Sequence, residues 1–170
     1  MYVNCLEKHL FINKGIELKC ITKLAVFCFS VFLSTSAFAK ECDSLCQLDQ
    51  VETYFSALDK VARKGSTMSD IDTLLALMHD DVKYIHVQYD ANFNKETWRK
   101  AFLRNLKKGR YQNTDSNEIR ILNSIAGHNH IAVEYSHGLK KQDGKWLPTD
   151  KYLVLFGFTE GKMSLIKELW

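Results

Sequence analysis

Apolar residues recur every three or four positions at Leu45, Leu48, Val51, Tyr54, Phe55, Leu58, Val61 and Ala62. That spacing places them on one face of an amphipathic α-helix of about five turns. Ser44-Leu45-Cys46-Gln47 fits a capping box with Ser44 as N-cap. The helix is expected to end near Lys64, with Gly65 at the C′ position. A second, short helix is expected after Ser69, carrying Ile71, Leu74, Leu75 and Met78 as its stripe. Val82–Tyr89 alternates and is rich in β-formers, so it reads as a strand. Asn94 caps a third helix over Lys95–Lys108, closed by Gly109, with Trp98, Ala101, Phe102 and Leu106 facing inward.

From Glu118 onward the period becomes two. Ile119–Ile125 and His130–His137 read as strands joined around Gly127. Asp143-Gly144 marks a hairpin. Tyr152–Thr159 and Met163–Trp170 pair across a turn at Glu160-Gly161, and Pro148 is expected at an edge or bulge. Helices first and an antiparallel meander last predict an α+β domain with helices on one face of the sheet.

Ahead of Lys40 the pattern is different. Leu24–Leu33 is an apolar run of ten preceded by Lys23 and followed by Ser34-Thr35-Ser36 and Ala37-Phe38-Ala39. A cation, a short apolar core and an A-x-A site together read as a secretory signal peptide over residues 1–39. The run is shorter than the roughly 20 residues a spanning helix needs. Residues 40–170 then form a single domain that is exported, to a periplasm or the cell exterior, with no membrane attachment after cleavage. Of the five cysteines, Cys5, Cys20 and Cys28 leave with the leader. Cys42 and Cys46 remain, four apart, and are expected to bridge in an oxidising compartment.

Composition excludes the unusual classes. The chain is 46% hydrophobic, 25% charged and 12% aromatic, with one Pro and eight Gly, which is neither disordered nor collagen-like. Four of 23 basic and two of 20 acidic residues lie in the leader, so the remainder carries a net charge of only +1. Nucleic acid is therefore not an expected partner. The third helix is basic on one side, with Lys95, Arg99, Lys100, Arg104, Lys107 and Lys108 against Glu96. Cations late in a helix suit its dipole, and the face reads as solvated. His128-Asn129-His130 reads as a hairpin tip, since no third ligand stands at a metal-site spacing. No metal or cofactor is expected.

The order helix, short helix, strand, helix and long meander resembles the NTF2-like superfamily, in its SnoaL-like branch. The resemblance rests on Val51-Glu52-Thr53-Tyr54-Phe55, on the stretch LLALMHDDVKYIHV (Leu74–Val87), on the helix with Trp98, and on DGKW…DKYLVLFGFTEGKMSLIKELW (Asp143–Trp170). It covers Leu45–Trp170 as a match of pattern and element order. It implies a cone in which a strongly curved antiparallel sheet wraps about three N-terminal helices and leaves a pocket. It also implies a homodimer through the sheet, and a small, largely apolar ligand in the pocket. Some relatives are isomerases, cyclases, dehydratases or epoxide hydrolases, so an alternative is a cofactor-independent isomerase, lyase or hydrolase.

His86 and Glu168 are the candidate catalytic pair. An imidazole titrates near neutral pH, and a carboxylate in an apolar cone has its pKa raised and can take a proton next to a carbonyl. Tyr54, Tyr84, Trp98, Phe102 and Glu134 are the candidate pocket residues. Strand alternation puts His130, Ala132, Glu134 and Ser136 on one face and Ile131, Val133, Tyr135 and His137 on the other. Both faces mix polar and apolar groups, so alternation leaves open which one lines the cone.

One prediction follows from the leader. The intact mass of the protein from its native host should correspond to a chain starting at Lys40; a full-length cytosolic species would overturn the assignment.

Overall fold

The computed structural model describes residues Cys42–Trp170. The leader, its apolar run and the cleavage point after Ala39 lie outside the described residues. In chain order the elements are α1 (Ser44–Ala62), α2 (Met68–Ala76), β1 (Met78–His86), β2 (Ala91–Asn94), α3 (Lys95–Lys107), β3 (Asn117–Gly127), β4 (His130–Lys140), β5 (Trp146–Thr159) and β6 (Lys162–Glu168). None of the helices among the described residues is long and apolar enough to cross a membrane.

Local chemistry sets the helix ends. The N-cap of α1 is Asp43 rather than Ser44: its carboxylate accepts the Cys46 N–H at 2.9 Å. Gln47 does not close a capping box. It is buried, and its amide donates to the carbonyls of Cys42 (3.0 Å) and Gly127 (3.2 Å), tying the start of α1 to the β3–β4 hairpin. Cys42 and Cys46 are bridged, with Cα atoms 5.2 Å apart, within the range a disulfide requires.

The first helix stops at Ala62, before Lys64. Arg63 turns extended there, and its guanidinium holds Asp59 (2.6 Å) and Asp115 (2.8 Å). Thr67, not Ser69, caps α2, in a reciprocal box with Asp70. α3 begins as expected, with Asn94 and Thr97 forming its box. Glu96 precedes Lys100 by four residues and pairs with it at 2.6 Å.

The strands form one six-stranded sheet in the order β2-β1-β6-β5-β4-β3. The sheet is mixed rather than wholly antiparallel, because β1 and β6 run parallel. β2 is absent from the sequence expectation; it is a four-residue strand that returns beside β1 after a tight turn. Register shifts at Ile121/Asn123, Ser136/Gly138 and Gly157/Phe158 bend the long strands. Pro148 lies opposite Gly138 at one of them, where its missing N–H is tolerated.

The inner face of β4 is now fixed. Ile131, Val133 and Tyr135 are buried, and they pack with Val51 and Phe55 of α1, Ile71 and Leu74 of α2, and Trp98 of α3 in one core. The helices lie on that face, as an α+β cone requires.

Gly138 is where the sheet has no room to spare. A Cβ there would collide with the Trp146 indole and stand 2.6 Å from the Leu147 carbonyl oxygen, a backbone atom. Gly138→Ala should therefore destabilise by about 1–3 kcal/mol through overpacking. Thermal melting read by near-UV circular dichroism should show a transition lowered by several degrees; an unchanged transition would mean that Trp146 swings aside freely.

Candidate functional site

The parallel ladder between β1 and β6 pairs Tyr84 with Ile166 and His86 with Glu168. Register partners on adjacent strands project to the same face, so a histidine and a carboxylate far apart in sequence become neighbours. Both are buried: Glu168 is 4% exposed and His86 5%.

Glu168 is held from one side. The Tyr135 hydroxyl donates to its Oε2 at 2.9 Å, and the Trp170 indole N–H donates to the same oxygen at 2.9 Å. That indole also reaches the Tyr135 oxygen at 3.2 Å. Oε1 accepts no hydrogen bond among the described residues. Burial raises the Glu168 pKa above the usual carboxylate range, while the bonds from Tyr135 and Trp170 pull it back down.

The surroundings are phenolic and aromatic. Tyr54 of α1 is buried against Phe55 and Phe156, with ring centroids 5.3 Å from each. Tyr84 of β1 stacks on Trp98 of α3 at 4.4 Å and on Phe93 at 6.2 Å. Phe102 lies one helical turn beyond Trp98, at 5.3 Å. Burial raises the pKa of Tyr54, Tyr84 and Tyr135, and the Glu168 charge raises each further. One carboxylate is thus near enough to three phenols to oppose their ionisation. The hydroxyls of Tyr54 and Tyr84 make no hydrogen bond among the described residues.

His86 lies at the margin of this group, with Tyr89 and Trp170 against it at 4.3 Å each. Burial lowers its pKa, so the neutral ring dominates at neutral pH. Neither of its nitrogens finds a partner among the described residues. Buried polar groups in folded proteins are nearly always hydrogen-bonded. Several unpaired ones at one end of a sheet make a surface that can receive the polar end of a bound molecule.

The sequence-derived candidates separate cleanly. Tyr54, Tyr84, His86 and Glu168 converge, and Trp98 and Phe102 back them with apolar surface. Glu134 does not join them: on β4 it shares the face opposite Tyr135 and pairs with Lys151 at 3.0 Å. Tyr135 and Trp170, the two donors to Glu168, were not among the candidates. The signal for Tyr135 was its place in the alternation with Ile131 and Val133; for Trp170, its i+2 spacing from Glu168.

The clefts at the surface lack this convergence. An open cleft of about 760 Å³ between α2, β1 and α3 is ringed by ion pairs that neutralise one another, Arg99–Asp72 and Lys95–Asp80, both 2.8 Å. The basic side of α3 is thus partly spent on internal pairing. His128 and Asn129 form the β3–β4 turn, with Asn129 at φ 53°. Among the described residues no group of three His, Cys, Asp or Glu side chains is placed to hold a metal ion.

No family model and no curated protein matches the chain. Solved structures do. One is TerC co-crystallised with polyporic acid, at 12% identity and TM-score 0.51, covering 74% of this chain and 91% of that one. An NTF2-like protein of unknown function from Burkholderia pseudomallei matches at 14% and 0.50, covering 74% and 90%. An LEH-like epoxide hydrolase of M. tuberculosis matches at 18% and 0.50, covering 73% and 81%. At such identities the likeness concerns the fold alone, and it agrees with the element order and the helix-lined sheet: the chain has the NTF2-like fold.

Proposed function

We propose that the protein binds a small, largely apolar molecule in its cone and anchors one polar group of that molecule at Glu168. The observation that carries this reading is the pair of buried His86 nitrogens, unpaired among the described residues and set amid aromatic rings, with Glu168 beside them hydrogen-bonded through Oε2 alone. Leaving the His86 nitrogens buried and unmatched costs about 1–3 kcal/mol each, a cost that a ligand or water offsets. The rings of Tyr84, Trp98 and Trp170 give that end of the sheet an apolar character that suits an apolar body. A hydroxyl on the ligand would donate to Oε1, and a carbonyl would accept from a tyrosine.

A second reading is acid–base catalysis without a cofactor. The register pair His86–Glu168 favours it, since a carboxylate with a raised pKa beside a neutral imidazole is placed to move a proton. The Cys42–Cys46 bridge supports the exported location expected from the leader.

The ligand-binding reading is tested with 2-naphthol, an apolar body with one hydroxyl, by quenching of the Trp98 and Trp170 fluorescence at pH 8. Glu168→Gln should weaken binding about 10- to 100-fold, the loss of a hydrogen bond to a charged acceptor. Equal affinity in the two proteins, or none in either, would count against the anchor. Mass spectrometry of protein from its native host would identify any retained molecule.

Stability should report the same carboxylate. Its folded pKa is raised, so it contributes fully below the ordinary glutamate value of about 4.3 and loses that contribution as pH rises through the folded value. Glu168→Gln should therefore melt with the wild type at acid pH and above it at neutral pH. A difference that stays constant with pH would mean that Glu168 is solvated.

A homodimer through the sheet remains part of the proposal. The helices cover only the inner face, and the outer face carries an apolar row, Ile125, Ala132, Leu155 and Ile85, with Lys167 between the last two. Ile125 is 73% exposed. Leu153, two residues before Leu155 on β5, is 44% exposed. Light scattering should give twice the chain mass, and Ile125→Glu with Leu153→Glu should shift it to a monomer. A monomeric wild type would sink this part.

A further inference from the structure

His86 is enclosed, yet what encloses it is not core. Tyr89 lies across the imidazole with centroids 4.3 Å apart and planes inclined 36°, and Trp170 meets the imidazole at 76°. The two covers differ in how they are held. Trp170 is fixed by its indole bonds to Glu168 and Tyr135 and by its carbonyl, which accepts the Gln88 N–H at 3.1 Å.

Tyr89 has no such anchors. It is 67% exposed, its hydroxyl makes no hydrogen bond among the described residues, and its ring contacts are with His86 and Trp170. It sits in the turn between β1 and β2, beside Asp90 at φ 47°. The turn is held by backbone bonds: Asp90 N–H to the Val87 carbonyl (3.3 Å) and Val87 N–H to the Glu168 carbonyl (3.2 Å). The Tyr89 ring can therefore rotate outward about its own side-chain bonds with every one of these kept. Doing so uncovers an imidazole with two unpaired nitrogens, next to the carboxylate that anchors the ligand.

We propose that Tyr89 is a gate whose ring holds the place over His86 that a planar, ring-bearing ligand takes when bound. This rests on the cone being a ligand site and adds the ligand's class: flat rather than bulky, with a polar group within reach of both His86 and Glu168. A flat ring reproduces the stacking that Tyr89 gives up. A saturated, puckered body of the same size does not.

The test uses Tyr89→Ala, with Tyr89→Phe as the variant that keeps the ring. Because Tyr89 is exposed, neither change removes core. Diethyl pyrocarbonate modification of His86, followed by peptide mass spectrometry, reads the cover directly. The rate follows the open fraction, so Tyr89→Ala should react about tenfold faster while Tyr89→Phe stays near the wild type. Affinity for 2-naphthol should rise about fivefold in Tyr89→Ala, because no internal ring competes for the place. Affinity for its saturated counterpart, decahydro-2-naphthol, should not rise.

An unchanged His86 rate overturns the gate, as does weaker 2-naphthol binding in Tyr89→Ala, which would make Tyr89 a fixed wall. Equal gains for both probes overturn the assignment to planar ligands. If 2-naphthol binding is weakened by Glu168→Gln but untouched by Tyr89→Ala, the cone site stands and the gate alone fails. If 2-naphthol binds neither the wild type nor Tyr89→Ala, both readings fail together.

Discussion

The parallel pairing of β1 with β6 is the contact on which the rest of the site depends. It is the one parallel ladder in the sheet, and it joins the β1–β2 hairpin to the meander of β3 to β6. It is also irregular: a two-residue step along β6, from Met163 to Leu165, matches a five-residue step along β1, from Met78 to Lys83. The excess on β1 carries Asp80 out to Lys95 at the start of α3, and the ladder then resumes in register up to His86 and Glu168. That final stretch alone brings His86 and Glu168 together. A slip of one residue would turn every side chain of β6 to the opposite face, taking Glu168 out to solvent and Lys167 in.

Burying Glu168 works against stability, and its two hydrogen bonds offset that only in part. Tyr135 and Trp170 both serve Oε2, so the carboxylate is oriented without being saturated. The surface pairs of this molecule behave otherwise. Arg99 takes Asp72 through two nitrogens, one to each oxygen, and both side chains are about half exposed. Exposed pairs of that kind contribute little and constrain little. An oriented carboxylate with one unpaired oxygen inside an aromatic enclosure is the arrangement expected where a site is kept at some cost to the fold.

The helices and most strands were legible because their periods are long and clear. The Asn94 cap, the turn at Glu160-Gly161 and the Cys42–Cys46 pair were legible because local chemistry decides them. The first two caps were displaced for a physical reason. Asp43 and Ser44, or Thr67 and Ser69, are equally good N-caps in isolation, and Gln47, the expected partner in a box, is drawn instead to Cys42 and Gly127 across the fold. β2 was not legible because Ala91–Asn94 is short and half-exposed, and only its partner strand defines it. The inner face of β4 was not legible because Glu134 and Tyr135 sit side by side in a strand with polar groups on both faces, and register across three strands decides between them. His86 and Glu168 could be named from residue type, but their adjacency depends on a parallel register that no local pattern encodes.

The same geometry bears on whether the site holds a ligand or transforms one. A general base needs an oxygen that can receive a proton and a lattice that does not shift when it does. Glu168 meets the first need through Oε1. The second is met by Trp170, which bonds Glu168 and Tyr135, leans on Tyr152 at 4.3 Å and abuts His86. A protonated Glu168 would still accept both bonds at Oε2, so taking a proton costs the network little rearrangement. Binding asks less of the same groups: a donor for Oε1 and an aromatic surface beside it. Both readings therefore draw on one pre-set carboxylate, and they differ in whether the bound molecule carries a proton acidic enough to give up to it.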